Sequence, residues 1–307
     1  MWVHGSTSPD PVTNLALEDV VLSRGEELGP GLLFYRNGPC VVVGKNQNPW
    51  RECDVPWCRE EGLPIARRIS GGGTVVHDPG TLNYCMVWPR VEYKSEVVFE
   101  EVLGALEGLG LAVKLEQGNS IFAGDKKVSG NAFCYRGQWV LHHGTFLIEA
   151  DLRRLRRALA RSSLPEMRTR AVASRPAKVG NLTEFMPKLN ATMITRALIE
   201  RMERRFGRPE PLGVAAGEVE ETAKRIGEWD WRFGCTPRFE VTLEGEGAKL
   251  EVAVEKGRVA EARLVEGEGV QMIESWRGWA FAREVLAETL RGVGLEAAMG
   301  VLSLYRF

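Results

Sequence analysis

Apolar residues recur at two different periods along this chain, and the places where the period changes outline its elements. In the first ninety residues, short apolar runs at 32–35, 41–44, 65–68, 74–76 and 82–87 are bounded by turn residues, the pattern of strands. Asn37-Gly38-Pro39 separates the first two runs and predicts a hairpin, and the other three are expected to continue one sheet. Between 95 and 110 the period lengthens: Val98, Phe99, Val102, Leu103 and Leu106 share one side of a helix that ends at glycines. A second helix is predicted from Asn190, with Ile194, Leu198, Met202 and Phe206 at four-residue steps and Gly207 and Pro209 as its stop. Residues 208–217, holding two prolines and two glycines, read as a linker. Beyond it, a helical stretch at 218–227 precedes alternating runs at 239–243, 250–255 and 259–264, with Lys256-Gly257 as a tight turn. A last amphipathic helix at 280–291 places Phe281, Val285, Leu286 and Leu290 together. The expected class is α+β, with a mixed-sheet domain over 1–212 and a small three-stranded α+β accessory domain over 213–307.

Composition narrows the function. A chain of 307 residues that is 44% hydrophobic can bury a sizeable core and fits two domains. Its 40 basic and 41 acidic side chains nearly cancel, which argues against non-specific nucleic-acid binding. No apolar run approaches the roughly 20 residues that span a bilayer, and the start lacks a basic, apolar signal segment. A cytoplasmic location with no membrane partner is the expectation. Cys40, Cys53, Cys58, Cys85, Cys134 and Cys235 show no paired CxxC spacing, so free thiols and no structural zinc are expected. The tryptophans read as packing residues.

Candidate chemistry concentrates in three places. Arg67-Arg68-Ile69-Ser70-Gly71-Gly72-Gly73-Thr74-Val75-Val76-His77-Asp78 sets two cations beside three glycines, a build in which bare amides can converge on phosphate oxygens. Gly124-Asp125-Lys126-Lys127-Val128-Ser129-Gly130 places two lysines at a strand start, where alternation lets at most one look into a pocket. The adjacent His142 and His143 must also face opposite ways. They are therefore not expected to chelate one metal, and one is expected packed and the other exposed.

The order of these pieces resembles one family. Asn14-Leu15-Ala16-Leu17-Glu18, Val43-Gly44-Lys45-Asn46-Gln47-Asn48-Pro49-Trp50, the run from 67 to 78, Gly124 to Gly130, His142-His143-Gly144-Thr145 and Asn181-Leu182-Thr183-Glu184 stand here as they do in lipoate-protein ligases. Trp229-Asp230-Trp231-Arg232-Phe233-Gly234 and the strands after it resemble the accessory domain of the bacterial enzymes. The resemblance implies a biotin/lipoate ligase-like catalytic fold and a two-step reaction: ATP converts lipoate or octanoate to an acyl-AMP, and the acyl group passes to a lysine of a lipoyl domain. Acceptors of that kind are 2-oxoacid dehydrogenase E2 subunits and the glycine cleavage H protein. It implies Lys127 as the catalytic residue, touching both phosphate and acyl carbonyl. It further implies ATP and lipoate contacts at Arg68, Ser70, Gly71, Gly72, Gly73, Thr74, Val75, Val76, His77, Asn119, Lys127, His143, Gly144 and Thr145. Val41 to Val43, Val75 and Val76 are candidate walls for the acyl chain.

Mg²⁺ is expected with ATP, held through phosphates and one or two carboxylates. Gln117-Gly118-Asn119-Ser120 departs from the family's usual Gly-Arg-Asn-Asp and leaves only Asp78 and Asp125 as candidate ligands. Thr81 likewise stands in place of a usual asparagine. Three other readings stay open: an ATP-independent octanoyl or lipoyl transferase working through a Cys134 thioester, a biotin ligase, and a non-catalytic binder. The arginine-rich stretch 151–157 reads as a solvated face or as a dock for an acidic lipoyl domain.

Overall fold

A computed structural model describes residues 1–160, 164, 165, 167–245, 247–266, 269–290 and 296–307, with backbone alone at 289, 290 and 296. Eight strands form its large sheet, in the spatial order Glu210–Pro211, Trp2–Gly5, Gly31–Tyr35, Thr81–Pro89, Trp139–Leu147, Lys126–Arg136, Ser120–Ala123 and Val113–Glu116. The first three run parallel and the rest antiparallel, so the sheet is mixed. Strand Thr81–Pro89 lies near its centre, and from Tyr84 onward it reads as an unbroken apolar run because both faces are covered. Leu82, Tyr84, Met86 and Trp88 pack beneath the helices Ser95–Gly108 and Ala191–Phe206. Cys85 and Val87 pack on the other face beneath the helix Pro11–Ser23.

The hairpin expected at Asn37-Gly38-Pro39 does not form. Gly31–Tyr35 belongs to the large sheet, whereas Cys40–Val43 is the middle strand of a separate sheet between Ile65–Arg67 and Val75–His77. Neither Asn37 nor Gly38 takes the left-handed backbone of a two-residue hairpin turn. Both are held by the N-terminal segment instead: Asn37 accepts from Asn14 Nδ2 at 2.8 Å, and the Gly38 amide donates to the Pro9 carbonyl at 2.7 Å. The runs at 65–68 and 74–76 therefore flank 41–44 and do not continue the sheet of 82–87.

The C-terminal strands also exceed expectation. Phe239–Gly245, Ala248–Glu255 and Arg258–Glu266 are joined by Gly269–Met272 at one edge and by Arg168–Thr169 at the other, giving five strands. The expected linker contributes the edge strand Glu210–Pro211, and the helix Ala216–Gly227 packs along Pro11–Ser23 with Arg225–Asp19 and Arg24–Glu218 ion pairs of 2.5 and 3.0 Å. The last predicted helix is Arg283–Leu290, followed by Glu296–Ser303. The side chain of Leu290 and the position of Arg291 lie outside the described residues.

One apolar cluster joins the small sheet to the C-terminal strands, and Trp50 is its centre. Fully buried, it packs against Phe233, Phe239 and Phe281 with centroid distances of 5.3, 5.5 and 5.6 Å. Asn48 places it by capping the short helix Pro49–Glu52 through a 3.0 Å bond from the Trp50 amide. Trp50→Ala is expected to cost about 3–5 kcal/mol. Urea unfolding followed by fluorescence and circular dichroism checks this, and an unchanged midpoint would show that the two parts do not share this core.

Candidate functional site

The glycine turn leaves the strand Ile65–Arg67 and returns as Val75–His77, and its geometry is set by two buried guanidinium groups. Arg67 donates to the carbonyls of Gly44, Lys45 and Gln47 at 3.0, 2.9 and 2.9 Å, and to Arg232 O and Thr236 Oγ1 at 2.9 Å each. It clamps the 44–47 turn to the C-terminal part. Arg68 sends Nε to Ser70 Oγ at 3.0 Å, Nη1 to the Val42 carbonyl at 3.3 Å, and Nη2 to the Gly71 and Gly73 carbonyls at 2.5 and 2.8 Å. Its fork is thus engaged by the turn's oxygens. Among the described residues no acceptor meets the amides of Gly71, Gly72 or Gly73, so the Gly71 and Gly73 carbonyls are engaged while the three N–H groups are left over. Gly72 needs to be glycine twice over: its φ is +85°, and a Cβ would lie 3.0 Å from Arg68 Nη2. Burial pushes both arginines down to about 10, which leaves them cationic at neutral pH.

Behind the turn runs a buried relay. His143 Nε2 is 2.7 Å from Ser70 Oγ, and its Nδ1 is 2.8 Å from Glu18 Oε2, while Tyr35 donates to Glu18 Oε1 at 3.0 Å. Because Arg68 donates to Ser70 and a carboxylate only accepts, all these bonds are satisfied when Nδ1–H faces Glu18 and Ser70 donates to Nε2. Helix Pro11–Ser23, strand Trp139–Leu147 and the glycine turn are thereby tied through one carboxylate.

Two cavities meet at this turn. The smaller, about 470 Å³, is closed by buried Leu15, Tyr35, Val42 and His77 and opens past Gln117, Gly118 and Phe133. The larger, about 810 Å³, is lined by Val76, Leu147, Leu155, Leu159, Met167 and Val179, with Arg51, Arg156 and Arg175. Thr74, Val75, Lys127, Gly130, Thr145 and Ser174 line both. The segment at 172–180 closes over them: Gln47 holds Ser174 Oγ at 2.9 Å, Ser174 accepts from the Thr74 amide at 2.9 Å, and the Lys127 backbone pairs with Lys178 and Gly180.

Strand alternation separates the lysines as expected. Lys126 pairs with Glu184, while Lys127 turns to the cavities, where no hydrogen bond or ion pair among the described residues holds its ammonium. Burial, and then the nearby Arg68 charge, lower the Lys127 pKa. The histidines separate too, but both are buried, which corrects the expectation of an exposed one. His142 points into the apolar side, 3.1 Å from Tyr93 Oη and edge-on to Phe99, with no partner for Nε2 among the described residues. Burial, then His143, push its pKa down to about 3.

Arg68, Gly72, Gly73, Thr74, Val75, His77, Asn119, Lys127, His143, Gly144 and Thr145 all line the smaller cavity, together with Ser120; Val76 lines the larger; Ser70 and Gly71 support the turn from behind. Val42 is a wall, whereas Val41 and Val43 belong to the core around Trp50. Asp78 is spent on the amides of Gly80 and Asp151, and exposed Asp125 pairs with Lys178. Cys134 lines neither cavity, and burial raises its pKa. Arg156 of the arginine-rich helix lines the larger cavity, and Arg157 pairs with Asp54 at 2.6 Å. Sequence reasoning missed Gln47, Ser174 and the role of Glu18. The signal for Glu18 is a carboxylate four residues from Asn14 inside a mostly apolar helical stretch, although Asp19 beside it shares that signal.

A mixed-sheet fold with a glycine turn, two joined cavities and a half-buried lysine that has no partner among the described residues fits an enzyme of the acyl-ligase class. The profile of the lipoyl protein ligase A/B catalytic domain matches residues 10–203. The chain is 33% identical to the lipoate-protein ligase A of Psychrobacter cryohalolentis over 252 residues, 78% of this chain and 74% of that one. A lipoate-protein ligase A structure bound with ATP is 25% identical over 74% of this chain and 92% of its own, with a TM-score of 0.58. P. falciparum LipL1 in complex with lipoate shares the fold at 23% identity, TM-score 0.64, covering 97% and 96% of the two chains. The chain belongs to the lipoate-protein ligase A family.

Glu18→Gln removes an acceptor and the carboxylate charge from the relay and is expected to cost about 1–3 kcal/mol. Adding Ser70→Ala should cost less than Ser70→Ala alone, because both act in one network; strict additivity in urea titrations would contradict the relay. A pH dependence follows from His142. Folded, it stays neutral down to about 3, whereas the unfolded chain takes up its proton below about 6.5. The unfolded state therefore binds more protons in this window, and stability falls as pH drops, by up to about 1.4 kcal/mol per pH unit. Buried His77, also pushed down to about 3, adds to the same fall, so His142→Phe should reduce the slope between pH 6.5 and 5 without abolishing it, and an unchanged slope would refute the assignment.

Proposed function

We propose that this enzyme attaches lipoate, or octanoate, to a specific lysine of lipoyl-domain proteins in two steps within the joined cavities. Residues 1–212 carry the chemistry and 213–307 are accessory. In the first step the acid's carboxylate oxygen attacks the α-phosphorus of ATP, the bond to the β-phosphate bridge breaks, and acyl-AMP and pyrophosphate form. In the second, the acceptor amine attacks the acyl carbonyl and AMP departs. The acyl chain occupies the smaller cavity, and the nucleotide lies in the larger one along Thr74 to Val76.

The observation that carries this reading is Lys127, a partly buried cation with no partner among the described residues, on the wall common to both cavities. Step one brings two anions together, and at about 4 Å their repulsion is roughly 4 kcal/mol at an effective dielectric of 20. An ammonium on the shared wall offsets that repulsion, and it raises its own pKa as the anions bind. The three free glycine amides supply further positive dipole ends without mobile charge. In step two Lys127 stabilises the developing negative charge on the acyl oxygen. Arg68 contributes by holding the turn, since its donors are already engaged.

Mg²⁺ would arrive on the phosphate oxygens of ATP. Asp78 and Asp125 do not fit as its ligands, being committed to backbone amides and to Lys178, and the acidic side chain lining the cavities, Glu52, binds the Ser174 amide at 3.1 Å. No step is assigned to the metal. A Cys134 thioester is not favoured, because that thiol lies outside both cavities. Acceptors are lipoyl domains of the E2 and H-protein type, in the cytoplasm. Among the described residues no helix is long and apolar enough to cross a membrane.

Lys127→Met should reduce pyrophosphate release in the presence of ATP and lipoate by about 10²–10³-fold, with a parallel loss of lipoyl mass on an apo lipoyl domain. Undiminished lipoyl-AMP synthesis by the variant would remove Lys127 from the first step.

A further inference from the structure

Along the lining of the smaller cavity, one buried side-chain nitrogen has no partner among the described residues: Nε2 of His77, a residue 3% exposed. His77 lines this cavity alone, as do Leu15, Tyr35 and Val42, whereas Lys127 sits on the wall shared with the larger cavity. The imidazole therefore stands among the buried lining of the smaller cavity, off the wall that the two cavities share.

Its tautomer follows from a chain of amides. Asn14 Nδ2 donates to the Ser8 carbonyl at 2.8 Å, which fixes that amide's orientation, and also to Asn37 Oδ1 at 2.8 Å. Asn37 must then present Nδ2 to His77 Nδ1 at 2.9 Å, so Nδ1 accepts. The ring is neutral: burial, with Arg68 and His143 nearby, pushes its pKa down to about 3. The single ring proton accordingly lies on Nε2. Of the other polar side chains here, Tyr35 donates to Glu18, His143 is bonded at both nitrogens, and Asn83, which lines the same cavity, donates Nδ2 to the Tyr35 carbonyl at 3.4 Å. Beside Leu15 and Val42 the wall thus carries a fixed N–H donor on His77 that no protein group meets among the described residues.

We infer that His77 is a specificity-determining residue whose Nε2–H donates to a sulfur of the lipoyl dithiolane ring, so that the enzyme prefers lipoate to octanoate. The inference rests on the reading of the acyl substrate above. Sulfur is a weak acceptor, but the alternative is worse: an octanoyl tail buries the donor with nothing to meet it. A site built around a hydrogen-bonding group rejects the analogue that lacks its partner more strongly than a purely apolar pocket distinguishes a methylene.

The test compares kcat/KM for ATP-dependent adenylation of lipoate, octanoate and an octanoate with one sulfur replacing a methylene at position 6 or 8. The wild-type enzyme is expected to prefer lipoate over octanoate by about tenfold, with at least one sulfur-substituted octanoate between them. His77→Phe, which keeps the ring and removes the donor, should bring the ratio to within about twofold through a higher KM for lipoate. His77→Gln, whose amide can still donate, should retain part of the preference. A wild-type enzyme indifferent to sulfur, or a folded His77→Phe with an unchanged ratio, would overturn the inference while leaving the ligase reading intact. Absence of ATP-dependent turnover with every acid would overturn both.

Discussion

The guanidinium of Arg68 is buried, charged and surrounded by oxygens of the very turn it supports. A cation taken out of water is tolerated only when its donors are met, and here the Gly71 and Gly73 carbonyls and the Ser70 hydroxyl meet them. Those oxygens cannot move away without leaving the charge exposed to a low-dielectric interior. The turn is consequently held in the conformation that leaves its three glycine amides without a partner among the described residues. Glu18 closes the arrangement from below through His143, tying helix, sheet and turn to the same charge. The walls of both cavities inherit their positions from this cluster.

Three like pairs show how the strands divide labour between fold and chemistry. Arg67 clamps the C-terminal segment while Arg68 holds the glycine turn. Lys126 pairs with Glu184 while Lys127 faces the cavities. His142 packs among aromatic rings while His143 joins the polar relay. In each doublet, neighbouring side chains leave an extended backbone in opposite directions, so one serves the packing and the other the site. The arrangement also explains why the C-terminal part is not a loose appendage: Arg67 reaches it directly, and Trp50 shares its core.

Local signals were legible and long-range pairings were not. The helices at 95–108 and 191–206 follow from apolar spacing and their glycine ends, and the lysine and histidine doublets split as the period of two requires. The 37–39 hairpin failed because Asn37 found partners in Asn14 and His77, far away in sequence, that outcompete a local turn. The partition of the early strands into two sheets depends on the same tertiary contacts. Arg168–Thr169 is too short to carry a pattern, and its pairing with Phe239–Gly245 exists only once the chain has folded. At the site, glycines and cations announced themselves, whereas Glu18, Gln47 and Ser174 act by holding other groups and carry no motif chemistry of their own.

The glycine-turn amides, unpaired among the described residues, are the groups that the proposed acyl-adenylate would occupy. Hydrogen exchange of the Gly71, Gly72 and Gly73 amides, measured with and without a non-hydrolysable lipoyl-adenylate analogue, tests this directly. Rapid exchange in the free enzyme and at least about tenfold slower exchange in the complex are predicted. Saturating analogue with unaltered exchange at all three amides would contradict the central claim.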